Sequence, residues 1–322
     1  MKSKLAAVAA IGMLGLLFPG GPGAPERAEA AFPGDNGKLV FELNCVDDEE
    51  CDPSGNGIHE LTDEGPVLLT SDPGDGSPAW SSDGQRLAFS RCDDTDCDIW
   101  TALADGSDET PVTDSASTNE WEPSWAPGAN KVVYRSCPTS AGPNGCELWV
   151  TDLDAGTSDM ITDNTRAEQD PAWAPNGKWI IFEAGKCKPG DVGRPHCLYK
   201  KPPQIFKLKP GSDQKAVKIT RLDKGAHDPN YSPGGRRIVF NDDGGRLFTI
   251  SPKGTGLRKF GLGGSDGLND GDYSPDAQFL LMTVYIGDEA GVATWNLSND
   301  ETEILYDHPY WWVDSPAWQP VP

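Results

Sequence analysis

The sequence predicts an all-β fold, a propeller of six four-stranded antiparallel blades, and three observations carry that expectation. An aromatic-anchored motif recurs along the chain. Gly 37 and Pro 28 are spread throughout, with no long stretch of helical periodicity. The chain also starts and stops in the middle of a repeat unit. The clearest copy is SPAWSSDGQRLAFSRCDDTDCDIWTALADGSDETPVT at residues 77–113, returning as EPSWAPGANKVVYRSC, DPAWAPNGKWIIFEAGKC and DPNYSPGGRRIVFNDDG, and more weakly as DGDYSPDAQFLLMTVY. Its anchors are Trp80, Trp125, Trp173, Tyr231, Tyr273 and Trp318, at intervals of 45, 48, 58, 42 and 45 residues. A fixed period of that length is the signature of blades.

Each unit reads as four short strands. In the second blade, residues 78–81 form the innermost strand, and Ser82, Asp83 and Gly84 form a tight turn in which glycine supplies positive φ. Residues 86–90 then alternate as the next strand, a cysteine-bridged hairpin follows, and residues 98–103 return as the third. Asp105 and Gly106 turn the chain into an outer strand near residues 111–113. Proline at the first residue of a strand is tolerated because its missing N–H is not needed there. The first repeat begins at residues 38–43 with no innermost strand before it, and the last anchor, residues 314–318, has no strands behind it. Joining the two completes a blade and closes the ring, which removes exposed sheet edges.

The pattern, here PAWSSDG…LAF…DIW…DG, resembles the WD-like repeats of the TolB-type β-propellers over nearly all of residues 31–322. The resemblance implies the propeller fold, and some propellers of this kind hold a cation in the central channel. That family also carries a separate mixed domain ahead of its propeller and serves the bacterial cell-envelope Tol-Pal system. Here the repeats follow directly behind the leading segment, so a Tol-Pal role is not expected. Propellers host many unrelated activities, so the resemblance does not name one.

Residues 1–30 read as an export signal: Lys2 and Lys4, an apolar run from Leu5 to Phe18 that is too short to span a bilayer, then Ala28-Glu29-Ala30 as a cleavage site. Residues 31–322 are then a single propeller domain. There is no cysteine before Cys45 to carry a lipid, and no later apolar segment for membrane insertion. The expected product is a soluble monomer in a periplasm or outside the cell. Its formal charge of −23 argues against nucleic acid or anionic lipid as partner. In an exported chain the cysteines read as disulfides, and their local spacing pairs Cys45 with Cys51, Cys92 with Cys97, Cys137 with Cys146, and Cys187 with Cys197. Zinc would need reduced thiolates gathered from one place, whereas these pairs belong to separate repeats.

Strand parity puts the stapled hairpins and the loops leading into the innermost strands on the same face. The leading residues are Ser77, Glu122, Asp170, Asp228, Asp270 and Ser315, which should ring the channel mouth. Carboxylates crowded around one axis repel, and a Ca²⁺ ion would relieve them, with Glu122, Asp170, Asp228 and Asp270 as its ligands. The competing reading is that each accepts hydrogen bonds from backbone N–H groups of a neighbouring blade. The fourth-blade hairpin is long, proline-rich and basic, with Lys186, Lys188, Arg194, His196, Lys200 and Lys201. It reads either as an insertion paired with surface carboxylates or as a contact for an acidic partner or a peptide carboxylate. His227 at the mouth, and Trp311 and Trp312 before the closing strand, extend that partner surface.

No catalytic set is read. Residues 263–267, GGSDG, lack the strand-to-helix elbow a nucleophilic Ser265 needs. Asp94, Asp96 and Asp98 lack the glycine and distal glutamate of a calcium loop and read as solvent-exposed. His59 takes the place of Trp100 and reads as packing. The expected function is a non-catalytic binding module recognising a protein, peptide or cell-envelope polymer at the channel face. The alternative is a calcium-dependent lactonase or ester hydrolase in the channel, with Asn119 or Asn269 as a neutral oxygen donor.

Overall fold

The computed structural model describes residues 32–45, 51–128, 130–139, 145–188, 199–211, 215–261, 267–287, 289–309 and 311–322; the expected signal, residues 1–30, lies outside them. Hydrogen bonding builds six separate four-stranded sheets, the six blades. In the second blade the strands are Asp75–Trp80, Arg86–Cys92, Cys97–Leu103 and Thr110–Pro111, innermost to outermost. The innermost strand begins three residues before the expected start because Asp75 and Gly76 pair with Arg91 and Ser90 ahead of an irregularity in the ladder. The ring closes as the half-units predict: Trp311–Val321 pairs antiparallel with Asp35–Cys45, and Gly57–Thr62 and Gly65–Leu68 complete that blade.

Simple alternation along the second strand of each blade is not what the structure shows. In Leu87-Ala88-Phe89, Leu87 and Phe89 pack on Val40 and Ile58 of the closing blade, while Ala88 packs on Trp125 and Val132 of the third. Ile180 and Phe182 likewise face the third blade while Ile181 faces the fifth, and Ile238 and Phe240 face the fourth while Val239 faces the sixth. A blade is covered on both faces, so its second strand is an unbroken apolar run rather than an in–out alternation. The anchors lie in the same seams: Trp80 packs on Val40, and Trp125 packs on Ala88 and donates its indole N–H to the carbonyl of Ala79, 3.1 Å away.

Disulfides Cys45–Cys51, Cys92–Cys97 and Cys137–Cys146 form as paired by spacing. Cys187 is also disulfide-bonded, and its expected partner Cys197 lies outside the described residues. Cys92 N–H donates to Gly74 O at 3.0 Å, and Thr139 N–H to Ser117 O at 2.9 Å, tying stapled hairpins to the leading loops on one face. His59 pairs with Phe41 as Trp100 pairs with Phe89, and it is buried. Asp98 departs from its expected exposure: it is part-buried and accepts a hydrogen bond from Thr113 Oγ1 at 3.0 Å.

Candidate functional site

Each innermost strand carries the same defect. Between Gly76↔Ser90 and Ala79↔Ala88, two residues, Ser77 and Pro78, stand opposite one; the same skip separates Gln169↔Glu183 from Ala172↔Ile181 and His227↔Asn241 from Asn230↔Val239. The first bulge residue adopts left-handed backbone: Ser77, Glu122, Asp170, Asp228, Asp270 and Ser315 have φ between 47° and 59°. Glycine ordinarily fills that position, and another residue there costs of order 1 kcal/mol or more. These six residues line one central cavity of about 190 Å³, so the expected ring of leading residues exists.

Sequence reasoning overlooked a second ring. The residue directly behind each apolar triplet of the second strand pairs beside the bulge: Ser90, Arg135, Glu183, Asn241, Thr283 and Glu42. The first five are buried. The available signal was a polar residue at a fixed place in the repeat (LAF-S, VVY-R, IIF-E, IVF-N, LLM-T, LVF-E), where the apolar run stops because the channel begins.

From the closing blade through the third, these groups find partners. Glu42 Oε2 accepts from Ser77 N–H at 3.1 Å, Ser90 Oγ from Glu122 N–H at 3.2 Å, and Glu122 Oε2 from Asp170 N–H at 2.7 Å. Arg135, 1% exposed, pairs with Glu122 Oε1 at 3.0 Å and lies 4.5 Å over the Trp121 ring. For Glu122 the backbone-acceptor reading is therefore realised.

From the fourth blade onward carboxylates face each other. Oxygens of Asp170, Glu183 and Asp228 lie within 4.8 Å of one another. Burial, then the charges of Glu122, Asp228 and Glu183, hold Asp170 well above the usual carboxylate range. Burial and Glu183 push Asp228 up to about 7 against the opposing pull of His227. Burial and Asp314 raise Asp270, so that carboxyl belongs with Asp314 rather than with the trio. His227 bridges Glu183 (3.1 Å) and Asp243 (2.7 Å); burial alone would lower it, but hydrogen bonding to Glu183 and the surrounding charges raise it to about 10.

Above this floor opens a cavity of about 720 Å³ whose walls include Tyr199, Lys200, Lys201, Tyr285 and Trp312. Lys188 and His227 line it too, while Lys186 lines a neighbouring groove; Arg194 and His196 lie outside the described residues. Trp312 is 48% exposed and rests on Tyr285, with ring centroids 5.5 Å apart. Trp311 is packed instead, against Gly55 and His308, so only one of the two tryptophans offers an open face. Asn119 is not available as a donor to the channel, because its Oδ1 accepts the N–H of Cys97 at 3.0 Å; Asn269 does line the mouth cavity.

The trio suits a hard cation. Beside it, Asn241 is 5% exposed and lines the same cavity, and its buried Oδ1 has no hydrogen-bond partner. The three converging carboxylates, with an amide oxygen lining the same cavity, are donors of the all-oxygen kind that Ca²⁺ takes. The mouth histidine is held by two carboxylates, so it is not poised against a hydroxyl or thiol nucleophile.

Fold and site together define a six-bladed β-propeller with an ionisable cavity at one mouth of its channel. No protein-family model and no curated protein matches the sequence. Solved structures do match, and what they share with this chain is the propeller fold. TolB from Acinetobacter baumannii superposes with a TM-score of 0.69 at 16% identity, over 90% of this chain and 68% of that one. Hydrazine synthase from Kuenenia stuttgartiensis gives 0.71 at 17%, over 95% of this chain and 50% of that one. A chain of the nidogen/laminin complex gives 0.64 at 10%, over 88% and 98%.

Proposed function

We propose that the protein is an exported binding module that engages a protein, peptide or cell-envelope polymer segment at the mouth of its channel, over a divalent cation held by Asp170, Glu183 and Asp228. The observation that carries this reading is the mouth cavity itself, an acidic floor beneath a rim of lysines and an exposed tryptophan. Asn241 supplies the neutral oxygen. The cation cancels like charge on the floor, and the rim side chains are then left to make the contacts. Support comes also from the TolB and nidogen/laminin propellers that share the fold, and the disulfides fit an oxidising, extracytoplasmic setting.

A second reading, a metal-dependent enzyme of the lactonase or ester hydrolase kind, draws on the same trio. An oligogalacturonate lyase in complex with manganese shares the fold at a TM-score of 0.52 and 13% identity. In that reading the cation polarises a substrate oxygen, and Asp170, Glu183 and Asp228 hold it in place.

The deciding experiment is thermal unfolding of the oxidised protein with Ca²⁺ and with EGTA, followed by metal analysis. Saturation at a hundredfold excess over Kd stabilises by about 2.7 kcal/mol, a rise of about 5 °C for a domain of this size. Turnover of lactones or esters by the loaded protein would favour the enzyme. A melting point indifferent to calcium, manganese and chelator alike removes the cation from both readings.

A further inference from the structure

We propose that the outer flank of the fourth blade is an anion-binding groove that takes an acidic peptide segment of a partner protein. A cavity of about 440 Å³ lies there, with Arg166, Lys186, Lys200, Lys201 and Lys218 in its walls and Phe206 among its lining. Arg166 stands just ahead of the innermost strand, Ala167–Trp173. Lys218 sits on the outermost, Val217–Lys218, directly opposite Phe206. Their charged groups lie 4.9 Å and 5.5 Å from the Phe206 ring centroid. Lys186 and Lys200 stand on one stem: Lys200 N–H donates to Lys186 O at 2.7 Å, Cys187 bridges to Tyr199, and Cys187 is disulfide-bonded. The stem therefore holds its lysines ready before any ligand arrives.

These cations lack what a structural role would give them. The chain has 50 Asp and Glu against 27 Lys and Arg. Yet among the described residues none of the five makes an ion pair. Lys218 is held below the usual lysine range by burial and by the like charges of Arg221 and Arg166. An anion bound in the groove relieves that repulsion, and the apolar lining accepts a side chain between carboxylates. A peptide fits better than a nucleic acid. The remaining surface repels a long polyanion, whereas a few carboxylates respond to charges within about one Debye length, ~8 Å. Arg166 and Lys218 line the groove and not the mouth, so this inference stands apart from the cation reading.

The test is fluorescence anisotropy with an array of labelled decapeptides that differ in the spacing of their Asp and Glu residues and each carry one aromatic residue. Saturable binding is expected for a subset, weakening with salt. It should fall about tenfold or more in the Arg166→Glu, Lys218→Glu double variant. Circular dichroism and melting of that variant check its fold, and charge-neutral Arg166→Gln, Lys218→Gln replaces it should the reversal unfold the blade. The proposal is overturned when no acidic peptide binds better than its amide counterpart, when the folded variants bind equally well, or when a soluble polyuronate displaces the peptides at lower concentration. Failure of the mouth reading shows separately, as a missing calcium shift in the unaltered protein.

Discussion

The ring has two arcs built on one backbone. Both carry the same left-handed bulge in every innermost strand, and in both a polar residue of the second strand stands beside it. Along the arc from the closing blade to the third, those positions are partnered: Glu42 and Ser90 tie one blade to the next through Ser77 N–H and Glu122 N–H, and Arg135 pairs with Glu122 inside the third blade. Along the arc from the fourth blade, Asp170, Glu183 and Asp228 converge, and His227 contacts Glu183. Identical geometry thus serves cohesion on one side and crowds carboxyls together on the other. The repeat fixes where side chains go, and residue choice alone decides whether a position is structural or open to a ligand.

The largest effect that would break this contrast lies in the tied arc. Arg135→Met leaves Glu122, largely buried beside the channel, without its cation. Losing one partner of a buried pair costs ~3–5 kcal/mol, so the melting temperature should drop by about 6–9 °C. An unchanged melting curve would mean that this arc is not held by the pair.

Next comes pH. Burial raises Glu42, Glu120 and Asp272 to about 7, with Asp314 adding to the shift of Glu42 and Asp98 to that of Glu120. A carboxyl whose folded value is raised binds its proton more tightly when folded. Its contribution is therefore full below the unfolded value, about 4 to 4.5, and is lost as pH climbs through about 7. Metal-free protein should melt on the order of 5 °C lower at pH 8 than at pH 5. A profile that rises over this interval would show these groups ionised and compensated.

The open arc predicts the opposite sign. Asp228→Asn removes one of three crowded carboxyls that resist ionising together, and the metal-free protein should gain about 1 kcal/mol, about 2 °C of melting temperature, while losing its calcium response. Destabilisation without calcium would mean the trio is already satisfied. Of comparable size is the effect of replacing Cys92 and Cys97 together by serine. The loop they close is only five residues long in sequence separation, so the loss should be no more than ~2 kcal/mol. Smallest is Trp312→Ala, a half-exposed residue whose removal should leave stability within ~0.5 kcal/mol yet weaken partner capture on the mouth face. Equal capture would move the recognition surface away from Trp312.

What the sequence determined by itself is what depends on neighbours along the chain. Blade count and the disulfides follow from hairpins whose partners lie within one repeat, where turn chemistry and period set the register, and the closing strand follows from the half-units at 38–43 and 314–318, which complete each other. The ring of leading residues was legible for the same reason, since each sits at one phase of the motif. Other features needed the ring itself. Asp170 and Asp228 are 58 residues apart and Glu183 falls between them at another phase of the motif, so only the angular placement of neighbouring blades brings their oxygens within 4.8 Å. The same placement leaves Asp270 with Asp314. Within the fourth blade, the sheet itself brings Arg166 and Lys218, ordinary surface residues by sequence, within 5.5 Å of the Phe206 ring centroid. Local periodicity writes the blades; the convergence of charge is a property of how they are arranged around an axis, which no single repeat contains.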